Sequence, residues 1–182
     1  MSDLDYVELW LVRHGETVEN ATGILSGWIE ATLSPLGVQQ AKALKPKLAS
    51  VSFDAVYASP LQRTQDTARY AGFPAPVIEP AIKEFCFGDY DGKPIASLPQ
   101  DWVRALYTFT DDFVTPNGEN IAIVSQRVTR FVNTLPPGRY LLFCHGGVIR
   151  TLVRHLGVDK FLENGTALVI DWTHRTILEH VR

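Results

Sequence analysis

Short apolar runs alternate with amphipathic segments along most of this chain, and the pattern predicts strands and helices in turn. Tyr6–Val12 is almost continuously apolar, which is typical of a strand covered on both faces of a sheet. Phe53–Ala58 and Tyr140–Cys144 predict two further strands. Ala167–Trp172 and Thr176–Val181 are separated by a short polar segment and predict a hairpin near the end of the chain.

Helix signals lie between these strands. Ser34 and Pro35 predict a helix start, with serine as the N-cap and proline in the first turn, and the helix should run to about Ala49. Pro46 interrupts this segment, so we expect a kink or an early end there, because proline lacks the amide hydrogen that a helix interior needs. The other helices are predicted from Ser59-Pro60 to about Ala71, from Asn120 to Leu135 with an apolar stripe, and from Val148 to Leu156.

This alternation predicts an α/β fold, in the form of a three-layer sandwich with a mainly parallel central sheet flanked by helices. We find no internal repeat and no linker composition, so we expect one domain over residues 1–182. A short insertion at about residues 93–120 contains Trp102, Tyr107, Phe109 and Phe113, and we expect it to form a lid.

Composition excludes several classes of function. The chain has 182 residues, 46% of them hydrophobic, and a net charge of −3 without any lysine or arginine tract, so no nucleic-acid partner is expected. The N-terminal segment lacks a basic region and the first apolar run is too short to cross a membrane, so we expect a cytoplasmic protein without a membrane partner. The two cysteines, Cys86 and Cys144, are expected to be buried thiols and not a disulfide. No oligomeric state is predicted.

The first strand runs directly into Arg13, His14 and Gly15. Such a junction can place an imidazole and a guanidinium where backbone N–H groups meet, which favours binding of a dianion such as phosphate. Taken alone, the same triplet is also compatible with a histidine at a strand end that has no chemical role.

Three later segments extend the pattern. Arg63 follows the second predicted strand, Glu84 follows a shorter apolar stretch, and His145 follows the strand Tyr140–Cys144. Because α/β sheets bind ligands beyond the carboxyl ends of their strands, these groups should meet at one sheet edge. The residues expected there are Arg13, His14, Arg63, Glu84, His145 and Gly146.

These residue types suit attack on a phosphomonoester. Neutral imidazole can attack phosphorus through one ring nitrogen while the other donates to a backbone carbonyl, so we assign His14 as the nucleophile of a phosphohistidine intermediate. Arg13, Arg63 and His145 would bind the phosphoryl oxygens and stabilise charge in the transition state. Glu84 would protonate the leaving group and then activate water, which requires a raised pKa.

Together the motifs resemble the histidine phosphatase superfamily, which includes the cofactor-dependent phosphoglycerate mutases. The resemblance extends from about Val7 to about Gly157 and implies the same roles for the residues named above. It further implies that Asn20, six residues beyond His14, lies in the phosphate pocket. Ser26 and Gly27 match a segment whose hydroxyl and amide approach the substrate, with serine in the place of the usual threonine.

Simpler interpretations remain for single residues. Outside this pattern, Arg63 would be an exposed helix residue, and Asp89 or Asp91 is an alternative proton donor to Glu84. No histidine–carboxylate cluster has metal-ligand spacing, so neither a metal nor a cofactor is expected.

Phosphatase and mutase share such a pocket, and we favour a phosphatase acting on a small-molecule phosphomonoester. The segment after Glu84 lacks arginine and histidine, and the insertion carries only two cations, Lys93 and Arg104, which is little positive charge for a carboxylated bisphosphate. The short length and the segment Pro116–Glu119 look similar to the α-ribazole phosphatase branch, so α-ribazole 5′-phosphate is a candidate substrate. The alternatives are a cofactor-dependent phosphoglycerate mutase and a catalytically inactive phospholigand-binding module.

Overall fold

The computed structural model describes residues 4–110 and 113–181. Residues 111 and 112, inside the predicted insertion, lie outside the described residues, as do both chain ends. The six strands are β1 (Val7–Arg13), β2 (Ala55–Ala58), β3 (Val77–Ile78), β4 (Gly138–Cys144), β5 (Ala167–Asp171) and β6 (Thr176–Val181).

The strands form one sheet in the order β3-β2-β4-β1-β5-β6. The first four strands in this order pair in parallel, whereas β5 is antiparallel to β1 and β6 is antiparallel to β5. The predicted mainly parallel sheet and the terminal hairpin are confirmed. Arg13 and Cys144 are paired across β1 and β4, so these strands end side by side and the two histidines that follow them become neighbours.

Helices surround this sheet. They are α1 (Val18–Ala21), α2 (Pro35–Ala49), α3 (Gln62–Tyr70), α4 (Gln100–Thr108), α5 (Ile121–Val132) and α6 (Gly146–Arg154). Ser34 is the N-cap of α2, as predicted, and its Oγ accepts a hydrogen bond from Gly37 N at 3.0 Å. Asn120 likewise caps α5 by accepting from Ile123 N at 2.9 Å.

The expected early end of α2 at Pro46 is wrong, because the helix continues to Ala49. Leu44 and Leu48, on either side of this proline, are buried in the core below the sheet. Their burial compensates for the missing amide hydrogen and keeps the last turn helical.

Two predicted helix starts are also displaced. α3 begins at Gln62, and Ser59 is not its N-cap, since the Ser59 hydroxyl contacts His145 instead. α6 begins at Gly146, two residues before the predicted Val148, and His145 takes the N-cap position without a side-chain bond to the helix. In both cases the polar side chain, that of Ser59 or of His145, makes its contact at the carboxyl end of the sheet and does not cap the helix.

The core has two layers, one on each face of the sheet. Leu9, Leu11 and Leu142 face the layer that contains residues of α5 and α6. Trp10 and Phe143 face the other layer, which contains residues of α2 and α3. This arrangement confirms the three-layer sandwich. Within the described residues, no helix combines the length and the apolar character needed to cross a membrane.

The described part of the segment between β3 and α5 contains three short 3-10 turns, α4 and irregular connections. Its aromatic residues Trp102, Phe109 and Phe113 are buried and belong to the same core layer as Leu9 and Leu142. The described part of the insertion is therefore packed onto the sheet layer.

Candidate active site

The carboxyl ends of β1 and β4 bring the two motif histidines together. His14 N donates to Cys144 O at 3.1 Å, and the rings of His14 and His145 lie edge to face with centroids 5.3 Å apart. Both histidines are buried. The predicted meeting of the two His-Gly turns at one sheet edge is thus present in the structure.

His14 is held as a neutral ring with one nitrogen available. Its Nδ1 lies 2.8 Å from Gly15 O, and because a carbonyl only accepts, Nδ1 carries the proton and Nε2 carries the lone pair. Burial, together with the charges of Arg63 and Arg13, holds the pKa of His14 well below its usual range. The imidazole is therefore uncharged at neutral pH.

Two residues that the sequence analysis missed hold the backbone around His14. Thr67 Oγ1 accepts from Gly15 N at 3.0 Å, and Asn164 Nδ2 donates to His14 O at 3.1 Å. Asn164 lies 150 residues from His14 along the chain, so no local pattern connects the two residues.

Arg63 is almost completely buried and is held by main-chain carbonyls. Its Nη1 donates to Ile29 O at 3.0 Å, and its Nη2 donates to Gly27 O at 2.7 Å and to Ser26 O at 3.3 Å. Its Nε is buried and has no protein partner. The interpretation of Arg63 as an exposed helix residue is wrong.

Arg13 is held in a comparable way. Its Nη1 donates to Leu162 O at 2.6 Å, and its guanidinium lies over the ring of Phe161 at 4.6 Å from the ring centroid. Its Nε is likewise buried without a protein partner. Burial lowers the pKa of Arg13 to about 10, and the nearby Arg63 adds to this shift while Glu84 opposes it, so the side chain remains cationic.

His145 contacts Ser59 through one nitrogen and leaves the other free. Its Nε2 lies 2.8 Å from Ser59 Oγ, which also accepts from Leu61 N at 3.3 Å. Nδ1 is buried and has no protein partner. Burial, followed by the charge of Arg63, holds the pKa of His145 well below its usual range.

Three buried nitrogens without a protein partner thus belong to one cluster of interacting residues: Arg13 Nε, Arg63 Nε and His145 Nδ1. Buried donors are almost always hydrogen-bonded, so a group of them in one place indicates a ligand that accepts. A phosphoryl group carries several acceptor oxygens and the charge that two guanidinium groups favour.

Glu84 is the buried carboxylate of this cluster. Its Oε1 accepts from Phe85 N at 2.9 Å, and its Oε2 accepts from Gly147 N, in the first turn of α6, at 3.2 Å. Burial raises the pKa of Glu84, although these two backbone bonds and the charges of Arg63 and Arg13 oppose the shift. The carboxyl is thereby suited to hold and release a proton.

The two alternative carboxylates have other contacts. Asp91 accepts from the backbone N–H groups of Gly27, Trp28 and Ile29 at 2.6, 2.7 and 3.0 Å. Asp89 accepts from the exposed Asn117 side chain at 3.1 Å. Asp91 therefore shapes the turn whose carbonyls hold Arg63, a positioning contact that the sequence analysis missed.

The remaining predicted binding residues lie near the same site, with one difference. Asn20, Ser26 and Gly146 line a cavity that also reaches Arg13 and Glu84. The amide of Gly27, expected to approach the substrate, donates to Asp91 instead, because this bond closes the turn around Arg63.

The cavity has a volume of about 510 Å³, and its wall combines aromatic residues with the aliphatic side chains of Ile24, Leu25, Ile95 and Leu106. The aromatic residues are Phe85, Phe87, Tyr107, Phe109, Phe113 and Phe161. Arg150 also lines it, but its guanidinium is paired with Asp159 at 2.6 Å and donates to Tyr107 O at 2.9 Å. The cavity therefore offers one polar end, at Arg13 and Glu84, and an apolar body.

Both cysteines are free thiols, as predicted, but only Cys144 is fully buried, and Cys86 is partly exposed. Cys144 lies beside His145, and burial raises the pKa of its thiol, so it remains protonated. In the described part of the chain, no group of three or more histidine, cysteine, aspartate or glutamate side chains is arranged to hold a metal ion.

The fold and the cluster together define an α/β protein with buried arginines, histidines and a glutamate at the carboxyl end of a parallel sheet. Comparisons with known proteins show the family. Residues 9–182 match the family described as histidine phosphatase superfamily (branch 1). The adenosylcobalamin/alpha-ribazole phosphatases of Escherichia coli (strain K12) and Salmonella typhimurium (strain LT2) are 35% and 34% identical, each covering 82% of this chain and 79% of the relative. A crystal structure of phosphoglycerate mutase from Thermus thermophilus is 38% identical, with a TM-score of 0.87 over 96% of this chain and 98% of that one.

This chain belongs to the histidine phosphatase superfamily. The predicted family, its α/β fold and its class of phosphoric monoester hydrolase are confirmed.

Proposed function

We propose that this protein hydrolyses a small-molecule phosphomonoester through a phosphohistidine on His14. The observation that carries the proposal is a set of three buried nitrogens without a protein partner, on residues that interact electrostatically around the neutral imidazole: Arg13 Nε, Arg63 Nε and His145 Nδ1. They supply hydrogen bonds where the charge on the phosphoryl oxygens must be stabilised during transfer.

In the first step, the Nε2 lone pair of His14 attacks phosphorus and the bond to the ester oxygen breaks. The proton of Glu84 goes to this oxygen, so the product leaves as a neutral alcohol and Glu84 becomes a carboxylate. The Gly15 carbonyl stabilises the positive charge that develops on the ring, because it accepts from Nδ1. An incoming phosphate dianion also raises the pKa of Glu84 further, which keeps the acid protonated until transfer.

In the second step, water attacks the phosphohistidine and the phosphorus–nitrogen bond breaks. Glu84 takes a proton from the water, inorganic phosphate leaves, and both residues return to their starting states. Ser59 supports the role of His145 throughout: its oxygen accepts from Leu61 N, so its own proton can go to His145 Nε2. Nδ1–H is then left to donate to phosphate.

The cavity favours hydrolysis of an ester with a bulky, mainly apolar leaving group over phosphoglycerate isomerisation. Aromatic and aliphatic residues form its body, and Arg150, the guanidinium that lines it away from the phosphate end, is engaged by Asp159. A small carboxylated substrate would therefore gain little binding energy from this part of the cavity, because its carboxylate would meet no unpaired guanidinium in the described lining away from the phosphate end. We propose α-ribazole 5′-phosphate as a substrate, in agreement with the names of the two bacterial relatives.

We also propose that the chain acts as one domain, that the insertion at about residues 93–120 covers the substrate as a lid, and that the protein is cytoplasmic. The packing of Phe109 and Phe113 against the cavity supports the assignment of the lid. The proposed cytoplasmic location rests on sequence composition and agrees with the presence of two free thiols, Cys86 and Cys144.

The test is a turnover screen with phosphate detection in EDTA, using α-ribazole 5′-phosphate, sugar phosphates, nucleotides and p-nitrophenyl phosphate. A parallel assay measures isomerisation of 3-phosphoglycerate primed with 2,3-bisphosphoglycerate. We expect metal-independent hydrolysis, with the highest kcat/KM among the alkyl phosphates for α-ribazole 5′-phosphate, whose bulky leaving group carries an aromatic ring system. Efficient isomerisation would make the protein a mutase, and binding of phosphate without any turnover would make it an inactive phospholigand-binding module.

A further inference from the structure

Glu119 and Arg127 form a partly buried ion pair outside the phosphate site. Two bonds join them: Arg127 Nε donates to Glu119 Oε1 and Arg127 Nη2 donates to Glu119 Oε2, each at 2.9 Å. Their side chains are 14% and 21% exposed, respectively. Glu119 ends the segment Pro116–Glu119, and Arg127 lies in α5, so neither belongs to the motifs that bind phosphate.

Both members of the pair bind the backbone on either side of Glu84. Arg127 donates to Ala81 O at 2.6 Å and to Glu84 O at 3.0 Å. Glu119 Oε2 accepts from Cys86 N at 3.0 Å, and Glu119 N donates to Cys86 O at 2.8 Å. The pair therefore fixes the main chain before and after Glu84.

The segment from residue 83 to residue 87 belongs to no helix or strand. His14 and His145 directly follow strands and Arg63 lies in a helix, so sheet and helix geometry place those groups. Glu84 has no such frame. The direction of its carboxyl toward the site depends on the groups that hold the segment from outside.

We propose that Glu119 and Arg127 are positioning residues for the proton donor Glu84, an inference that rests on the proposed function. The guanidinium fork and the carboxylate act as one clamp on the backbone from Ala81 to Cys86, which keeps the Glu84 carboxyl bonded to the Gly147 amide and beside the leaving group. A carboxyl displaced by about 1 Å transfers its proton poorly, and such displacements can lower a rate by up to about a hundredfold.

The experiment compares two substrates in one set of variants. Proton donation matters for an alkyl phosphate, whose leaving group is a strong base, and hardly matters for p-nitrophenyl phosphate. Glu119→Gln removes the negative charge and replaces one of the two acceptor oxygens with an NH2 group. The remaining oxygen cannot serve both Arg127 Nε and the pair of donors Cys86 N and Arg127 Nη2. Arg127→Lys keeps the positive charge but removes the two-pronged contact. Glu179→Gln, which breaks the exposed Lys47–Glu179 pair on β6, is the matched control.

We expect both clamp variants to lower kcat/KM for the alkyl phosphate by about 10- to 100-fold and kcat/KM for the aryl phosphate by no more than about twofold. The comparison uses kcat/KM because this constant covers the steps up to release of the leaving group and excludes the later attack of water, in which Glu84 acts on both esters alike. The inhibition constant of inorganic phosphate should stay within about twofold, because the phosphate donors are untouched. In a Glu84→Gln background, adding Glu119→Gln should have no further effect, since both changes act on the same proton transfer.

Equal losses on the two esters would overturn the proposal, because a pair that only supports folding lowers both rates alike. An additive loss in the double variant would also overturn it. If Glu84→Gln itself lowers kcat/KM equally for both esters, the proton-donor assignment fails and the clamp proposal fails with it. The single Glu84 variant therefore distinguishes failure of the proposed function from failure of the clamp alone.

Discussion

Among the residues of the site, His14 has the role that is hardest to replace, that of the nucleophile. Its environment keeps the ring neutral, and the Gly15 carbonyl fixes the proton on Nδ1 and leaves the lone pair on Nε2. The nucleophile can thus be tested by a single change.

His14→Ala should lower turnover of every ester by at least about a thousandfold, because the covalent step has no replacement. The measurement is steady-state phosphate release, with folding checked by circular dichroism. His174→Ala, at a histidine whose side chain is 65% exposed, is the control and should leave turnover unchanged. Activity within tenfold of the unmodified enzyme would contradict the nucleophile assignment.

The directions of two pKa shifts predict the pH profile on an alkyl phosphate. The pKa of His14 is lowered, so its neutral form persists to more acidic pH and the acidic limb should lie below the ordinary histidine range near 6.5. The pKa of Glu84 is raised, so the protonated acid persists to higher pH and activity falls as pH rises through that value. Measuring kcat/KM from about pH 4 to about pH 9 gives both limbs, and Glu84→Gln should remove the alkaline one.

His14 and His145 could be predicted from sequence because each directly follows a strand, and Arg63 because it lies in the first turn of a helix, where local patterns indicate their place. Glu84 lies between elements and was indicated by its motif. The supporting contacts of these residues could not be predicted. Asn164 contacts the His14 carbonyl across 150 residues, and Ser59 contacts His145 across 86. Such partners depend on how distant segments pack, and a single sequence contains no signal for that packing.

At the level of elements, the turn from Ser26 to Ile29 illustrates the same limit. The sequence indicated that it lies at the site, but the structure shows that its amides bind Asp91 while its carbonyls bind Arg63. The position of the Arg63 guanidinium therefore depends, through this turn, on the Asp91 carboxylate. α4 was also missed, since we expected only a lid of aromatic residues there.

Asp91→Asn should weaken inhibition by inorganic phosphate about tenfold, because the loss of one of three charge-assisted bonds costs about 1.5–3 kcal/mol and loosens the turn around Arg63. Asp89→Asn is the matched control, since Asp89 lies two residues away and bonds only the exposed Asn117 side chain among the contacts described. Equal inhibition constants for the two variants would exclude this role of Asp91.

For the molecule as a whole, the packing of Phe113 connects the insertion to the core of the fold. Phe113 is completely buried and has ring contacts with Phe85, Phe87, Trp102 and Phe109. These residues form part of the core layer that covers one face of the sheet.

Phe113→Ala should therefore lower the free energy of unfolding by about 3–5 kcal/mol, the usual cost of removing a buried phenylalanine ring. Val114→Ala, at a neighbouring side chain that is 61% exposed, should change it by no more than about 0.5 kcal/mol. Urea denaturation followed by tryptophan fluorescence measures both. A loss of less than about 1 kcal/mol for Phe113→Ala would indicate an insertion that folds independently of the sheet.

The residues that line the cavity differ in how deeply they are buried in the core. Phe85, Phe109 and Phe113 are buried in the core, whereas Tyr107 and Phe161 are 63% and 58% exposed at its rim. Changes at the buried wall would alter substrate fit and folding stability together, while a change at Tyr107 would alter fit almost alone. Phe161 differs, because its ring lies against the Arg13 guanidinium. A laboratory selection for new esters should consequently accumulate its first substitutions at Tyr107, and the inner wall should change only after stabilising substitutions elsewhere.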